Sequence, residues 1–284
     1  MRRVTTGMLC ALGGAACFVG MDSCVKLLAG RLPVLQTTFL IALIAPLPSL
    51  VWALRHGGLA RLSTRRPALQ IVRGLLMLLG TLGFFLAVSH MPLADAYALM
   101  FTMPLMITGL SVPLLGERVD LARWAAIVVG LAGVLIMLRP GGGILGASAF
   151  AALGGALCYA LVNLIVRRAG TGETAEAFVV WGNLTMATGA ALVQPWLWTT
   201  PALGDLPILA LGGLLGGMAF LLVALAFQKA PAAVVAPFQY TQMIWGVVVG
   251  LVLFGDRPDP MVLLGGTVVI AAGLFVLHRE TRRG

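Results

Sequence analysis

The side chains best equipped for chemistry in this sequence stand inside long apolar runs, where a polar group needs a reason to be. Asp22 falls well inside the run 7–29, with Phe18 four residues before it and Lys26 four residues after. On a helix this spacing puts all three on one face, so Lys26 is within reach of the Asp22 carboxylate. An acid in such a run is costly unless it faces a protein interior or a water-filled cavity. A second set, Tyr97, Met100 and Phe101, lies between Pro92 and Pro104, and a third, Gln239, Tyr240 and Gln242, follows Pro237. Tyr159 and Asn163, again four apart, form a fourth, with Trp181 and Asn183 further on. Their chemistry is binding. Aromatic faces stack on rings or hold ammonium groups, and amides hydrogen-bond without fixed charge. Such a set suits a neutral or zwitterionic organic molecule, an amino acid ahead of a phosphate ester. Asp22 is also the one acid placed to carry a proton.

The same residues admit structural readings. Asp22 and Lys26 can form an ion pair near an interface, with Lys26 snorkelling outward. The prolines can shape packing, and the glutamines can bond neighbouring helices. Catalysis finds less support. No paired acids, HExxH or Ser/His arrangement falls within the runs, and His56, His90 and His278 all sit at run ends. An intramembrane enzyme is therefore a remote alternative. A GxxxxGK[ST] phosphate loop is missing. Cys10, Cys17 and Cys24 recur every seven residues, and with Cys158 they lie within runs, away from metal-site spacing, and read as small packing residues. No cofactor or metal is expected.

The elements that hold these side chains follow from composition. Of 284 residues, 60% are hydrophobic and only 10% charged, against about a quarter charged in a soluble domain. The 36 glycines suit close helix approach in a bilayer. Runs long enough to span it cover roughly 7–29, 34–54, 69–89, 93–114, 121–138, 146–167, 175–197, 205–227, 232–254 and 261–278. Arg2 and Arg3 precede a run too long for a cleaved signal peptide, so it reads as the first span. With ten spans, 15 of the 19 Lys and Arg residues fall on the side of both termini. That bias places both ends in the cytoplasm of a bacterial-type inner membrane. The net charge of +9 thus reads as topology and lipid-headgroup contact, with no nucleic-acid partner.

The chain also repeats itself. Residues 11–18 read ALGGAACF and residues 152–159 read ALGGALCY, an offset of 141 that persists from Val25-Lys26 to Val166-Arg167. His90-Met91-Pro92 aligns with Lys229-Ala230-Pro231 at an offset of 139, which also aligns Leu115-Gly116-Glu117 with Phe254-Gly255-Asp256. The first offset pairs Phe18 and Asp22 with Tyr159 and Asn163, and the second pairs Met100 and Phe101 with Gln239 and Tyr240. Residues 1–140 and 141–284 then form two five-span repeats. Five is odd, so the second copy enters the membrane inverted. The expected fold is an all-α membrane protein of ten transmembrane helices, two inverted repeats around a central cavity. Inverted repeats suit secondary transport by alternating access, although duplication can also double a purely structural unit.

Met21-Asp22-Ser23-Cys24-Val25-Lys26, Pro33-Val34-Leu35-Gln36, Arg73-Gly74-Leu75-Leu76, Pro92-Leu93-Ala94-Asp95-Ala96, Gly116-Glu117-Arg118 and Leu138-Arg139-Pro140 follow the ALGGAAC segment in order. Together they resemble the drug/metabolite transporter superfamily in its EamA-type branch, across essentially the whole chain. The resemblance implies ten helices and cytoplasmic termini. It implies substrates such as amino acids, purines, nucleotide-like metabolites, riboflavin or drugs. Many such members export, among them exporters of aromatic amino acids, while others take up S-adenosylmethionine. One departure bears on charge. Similar sequences often carry an Arg early in the second helix after an aromatic, where this chain has Phe39-Leu40-Ile41-Ala42, which argues against a strongly anionic substrate. The expected function is a transporter, taken to be a monomeric exporter of amino acids or related metabolites, with uptake of a nucleoside-like metabolite as the alternative.

Single cysteines placed near each end of a cysteine-free variant, in oriented membrane vesicles, should both react only with reagent on the cytoplasmic side. Labelling of the two ends from opposite sides overturns the even span count.

Overall fold

Lipid offers no hydrogen bonds, so a chain this apolar must satisfy its backbone internally, and helices do so segment by segment. A computed structural model describes residues 2–116, 120–138, 146–169, 174–230, 235 and 238–281, and among them every regular element is helical. The helices are α1 (Arg2–Leu28), α2 (Val34–Ile44), α3 (Pro46–Arg55), α4 (Pro67–His90), α5 (Leu93–Met100), α6 (Met103–Leu115) and α7 (Leu121–Leu138). They continue with α8 (Ala147–Ala169), α9 (Ala175–Ala191), the single turn α10 (Gln194–Leu197), α11 (Asp205–Lys229), α12 (Thr241–Val249) and α13 (Pro260–Thr281). A 3₁₀ turn, Leu59–Leu62, precedes α4, and a π-helical turn, Gly250–Phe254, extends α12.

Six segments are long and apolar enough to cross a membrane: Val4–Leu28, Val34–Arg55, Pro67–His90, Leu93–Leu115, Ala147–Ile165 and Asp205–Ala226. Trp124–Leu138, Thr241–Phe254 and Pro260–Val276 are shorter apolar helices. Leu79, Val128, Leu135 and Val252 are exposed on the outside of the bundle, as a lipid-facing surface requires.

Several expected spans are interrupted, each for a local reason. The span 34–54 breaks at Ala45, between α2 and α3. Pro46 has no N–H for the Ala42 carbonyl, and its ring crowds that oxygen. The span 93–114 breaks at Phe101–Thr102 and restarts at Met103, where Pro104 does the same to Met100. The span 175–197 stops at Ala191 ahead of Pro195. The described part of the ninth span turns at Tyr240 before α12 begins. Pro231, Pro237, Glu117 and Arg139 to Gly143 lie outside the described residues.

The ends of α6 and of the π-helical turn after α12 share local geometry. Gly116 and Gly255, related by the 139-residue offset, both cap a helix in the left-handed region, at φ 70° and 66°. That conformation favours glycine.

Glycines also set helix separation. A Cβ on Gly83 of α4 would lie 2.4 Å from the Ala151 carbonyl oxygen of α8, and one on Gly155 would lie 2.9 Å from Gly80 O, so α4 and α8 touch backbone to backbone. A Cβ on neighbouring Gly154 would meet nothing within 4 Å. Gly83→Ala should therefore cost about 1–3 kcal/mol through forced separation, whereas Gly154→Ala should change stability by roughly 0.5 kcal/mol or less. Thermal unfolding of the two variants in detergent checks this. Equal midpoints would show that the α4–α8 approach has slack.

Candidate functional site

Three of the helix interruptions, at Ala45, Phe101 and Tyr240, border a central cavity of about 470 Å³. Helix α1 supplies Phe18 and Asp22 from one face. The Phe18 ring meets Phe220 of α11 edge-on, centroids 4.9 Å apart. Asp22 is buried at 1% exposure. Its Oδ2 accepts a hydrogen bond from the Tyr97 hydroxyl, and its Oδ1 has no partner.

Next to α1, helix α5 and the break after it contribute Tyr97, Met100 and Phe101. Phe84 of α4 leans on Tyr97 at 5.4 Å between ring centroids. Helix α8 contributes Tyr159 and Asn163. The Tyr159 hydroxyl shares a 2.7 Å hydrogen bond with Thr81 Oγ1, and Asn163 Nδ2 donates to the Tyr159 carbonyl, one turn back, at 2.7 Å. The turn that starts α12 brings Gln239, Tyr240 and Gln242 to the same wall. Tyr240 packs edge-on against Phe101, centroids 5.0 Å apart at 72°. Residues paired by the repeat offsets thus border one space, and one such pair, Phe101 and Tyr240, is in direct contact.

Two expectations are corrected. Lys26 does not pair with Asp22. Its ammonium turns to Asp256 and to the Met91 carbonyl oxygen, 3.1 Å away, and sits 4.9 Å from the Phe254 ring centroid. Those partners come from loops 65 and 230 residues away, which helical spacing cannot reveal. Trp181 does not border the cavity. Its indole Nε1 donates to Leu62 O at 2.9 Å, holding the 3₁₀ turn against α9. Asn183, two residues on, does border it, with Nδ2 bonded to Val179 O at 2.8 Å.

The wall also contains residues that sequence reasoning passed over: Thr38, Met77, Thr81, Phe84 and Met186. Thr81 had a legible signal, a hydroxyl in the middle of an apolar run. The methionines had none, because an inward Met and a lipid-facing Met look alike. Among the described lining residues, Asp22 is the one side chain of formal charge, and there is no Lys, Arg or His. Ile41, in the Phe39-Leu40-Ile41-Ala42 segment, stands on the wall as an apolar side chain.

The two ends of the cavity differ. At the Lys26 end, Asp22 and Tyr97 are buried under the Lys26–Asp256 pair. Arg31 also pairs with Asp205 at 3.2 Å, and Gln36 exchanges two hydrogen bonds with Thr199, at 2.6 and 2.9 Å. At the other end Asn163 is exposed, and Gln239 and Gln242 are half-buried. Contacts between the halves occur there too, farther from the cavity. Arg61 pairs with Glu176 at 3.0 Å, and buried Arg73 donates to Phe178 O at 2.7 Å while lying over the Phe178 ring.

The chain as a whole is similar to known proteins. A riboflavin transporter of Rhizobium johnstonii is 31% identical over 239 residues, covering 81% of this chain and 76% of its own. An S-adenosylmethionine uptake transporter of Rickettsia felis is 25% identical over 257 residues, covering 90% and 87%. The pseudopaline exporter CntI of Pseudomonas aeruginosa is 27% identical over 285 residues, covering 98% of each chain. A solved crystal structure of 20% identity superposes with a TM-score of 0.67 over 97% of this chain and 99% of its own, and so shares the fold. The EamA-like transporter family matches twice, over residues 5–139 and again over 146–278. On that match the chain belongs to the EamA-like transporter family: it is a multi-pass membrane transporter of small metabolites and not an enzyme.

Proposed function

We propose that this protein is a secondary transporter that exports amino acids or related small metabolites across the inner membrane by alternating access. It does so as two inverted five-helix repeats with both termini in the cytoplasm. The observation that carries this reading is the central cavity walled by residues from corresponding positions of both halves. Its mixture of aromatic faces, thioethers and amides around one carboxylate suits a zwitterion with a ring or apolar body.

Helix packing supports the inversion. Counting interrupted segments as one, α2–α3, α5–α6 and α12 with its π-helical turn are single spans, and the ten expected spans each have a helical counterpart. Spans one and eight pack together, as do three and six, and exchanging the halves converts one pair into the other. The pairs two–seven, four–nine and five–ten also pack, and each maps onto itself. The two family matches of similar length support the same division.

In the proposed orientation the Lys26 end faces outward, so the described conformation is closed outside and accessible from the cytoplasm. Export then requires the Lys26–Asp256 contact to part while the opposite end closes. The cavity closes outside through side chains drawn from both halves, which lets a rocking motion of one half against the other open it.

A second reading, uptake or exchange of a nucleoside-like metabolite, is favoured by the S-adenosylmethionine uptake relatives. Proteoliposomes loaded with unlabelled aromatic amino acids should accumulate labelled amino acid several-fold faster than empty ones. Counterflow of S-adenosylmethionine without counterflow of amino acids decides for the second reading.

The outer contact has its own test. Lys26→Gln should raise outside labelling of a single cysteine at Met100 by about ten-fold, or roughly 1.4 kcal/mol of gating free energy. Exchanging the charges, Lys26→Asp with Asp256→Lys, should restore protection. A swap that stays as reactive as the single variant shows that the pair does not hold this end closed.

A further inference from the structure

Asp22 uses only half of its carboxylate. Oδ2 accepts from Tyr97, while Oδ1 is buried without a donor. Among the buried, unpartnered side-chain atoms of the described residues, it alone belongs to a residue on the cavity wall. A carboxylate oxygen stripped of water and left unpaired is destabilising, so its retention calls for a donor that arrives from outside the protein.

The protein offers none nearby. Lys26, one turn along, is committed to Asp256 and Met91 O. The neighbouring hydroxyls are engaged elsewhere, Tyr159 with Thr81 and Thr38 with Val34 O, and the amides of Asn183 and Asn163 each give one N–H to a carbonyl of their own helix and none to Oδ1. Around the carboxylate stand rings instead. Phe18 precedes it by one turn on the cavity wall, and Phe84 leans on its partner Tyr97. Ring faces attract cations, more strongly when water is excluded. No described basic side chain on the wall competes for the position.

From this geometry we infer that Asp22 Oδ1 is the docking point for a positively charged group of the substrate, an ammonium or similar onium centre on a flat or apolar body. The inference rests on the transport reading of the same cavity and narrows it. The substrate is a cation, or a zwitterion whose anionic end meets the amides of Asn163, Gln239 and Gln242. A neutral ring system would leave Oδ1 unpaired, and a phosphate ester would add a second negative charge beside it.

Matched probes test this on the purified full chain in detergent, with thermal stabilisation as the measure of binding. Tyramine and tryptamine carry an ammonium where tyrosol and tryptophol carry a hydroxyl. At least one amine should bind about ten-fold or more tightly than its alcohol. Asp22→Asn, of the same shape, should bring the ratio close to one, and Asp22→Glu should keep it. The inference is overturned if neither amine binds, if the alcohols bind as well, or if Asp22→Asn keeps the ratio, the outcome expected of a carboxylate that only carries protons. Should Asp22→Asn fail to yield monodisperse protein, the amine-to-alcohol ratio in the wild type and in Asp22→Glu still decides. Because binding is read without flux, loss of amino-acid counterflow counts against the transport reading and leaves this inference standing.

Discussion

Within a bilayer an unpaired backbone amide has no solvent to turn to, and this constraint governs where the chain can depart from a helix. An interruption can face protein or a watered hollow but not hydrocarbon. Ala45, Phe101 and Tyr240, where three spans break, all border the central cavity. The prolines after Ala45 and Phe101 explain why those helices stop where they do, and the cavity explains why stopping there is tolerated. The cavity wall and the backbone irregularity are thus two results of one requirement.

The same requirement disposes of most polar side chains. Ser23, Thr38, Ser89, Thr108, Thr188 and Thr267 each return a hydroxyl hydrogen to the carbonyl four residues earlier. A hydroxyl in a span is therefore often satisfied within its own turn and carries no message about substrate. A carboxylate cannot be silenced in this way, because it accepts but does not donate. That difference separates Asp22 from the polar residues around it.

It also marks what was readable beforehand. Membrane residence followed from composition, because the sequence has too few polar groups to cover a water-facing surface. The positions of Phe18, Asp22, Tyr159 and Asn163 on the wall were accessible through repeat offsets and four-residue spacing, which are local properties. Pro104 signals the break near Phe101, and Pro46 carries an equal signal for the break at Ala45. The Lys26–Asp256 pair and the Trp181–Leu62 bond were out of reach, since both depend on how distant loops meet. Met77 and Met186 were hidden for a different reason. When the exterior is as apolar as the core, hydrophobic pattern no longer tells inward from outward.

Phe18 and Asp22 oppose Tyr159 and Asn163 as corresponding but unlike pairs. Two identical inverted copies would make the inward- and outward-facing forms equivalent by a two-fold rotation about an axis in the membrane plane, and so equal in free energy. Every mismatched position lifts that degeneracy, and a carboxylate set against an amide lifts it by electrostatics that a charged cargo then modifies. On the proposed inversion, the resting preference of the empty carrier and its response to cargo both originate in the few places where its two halves have stopped agreeing.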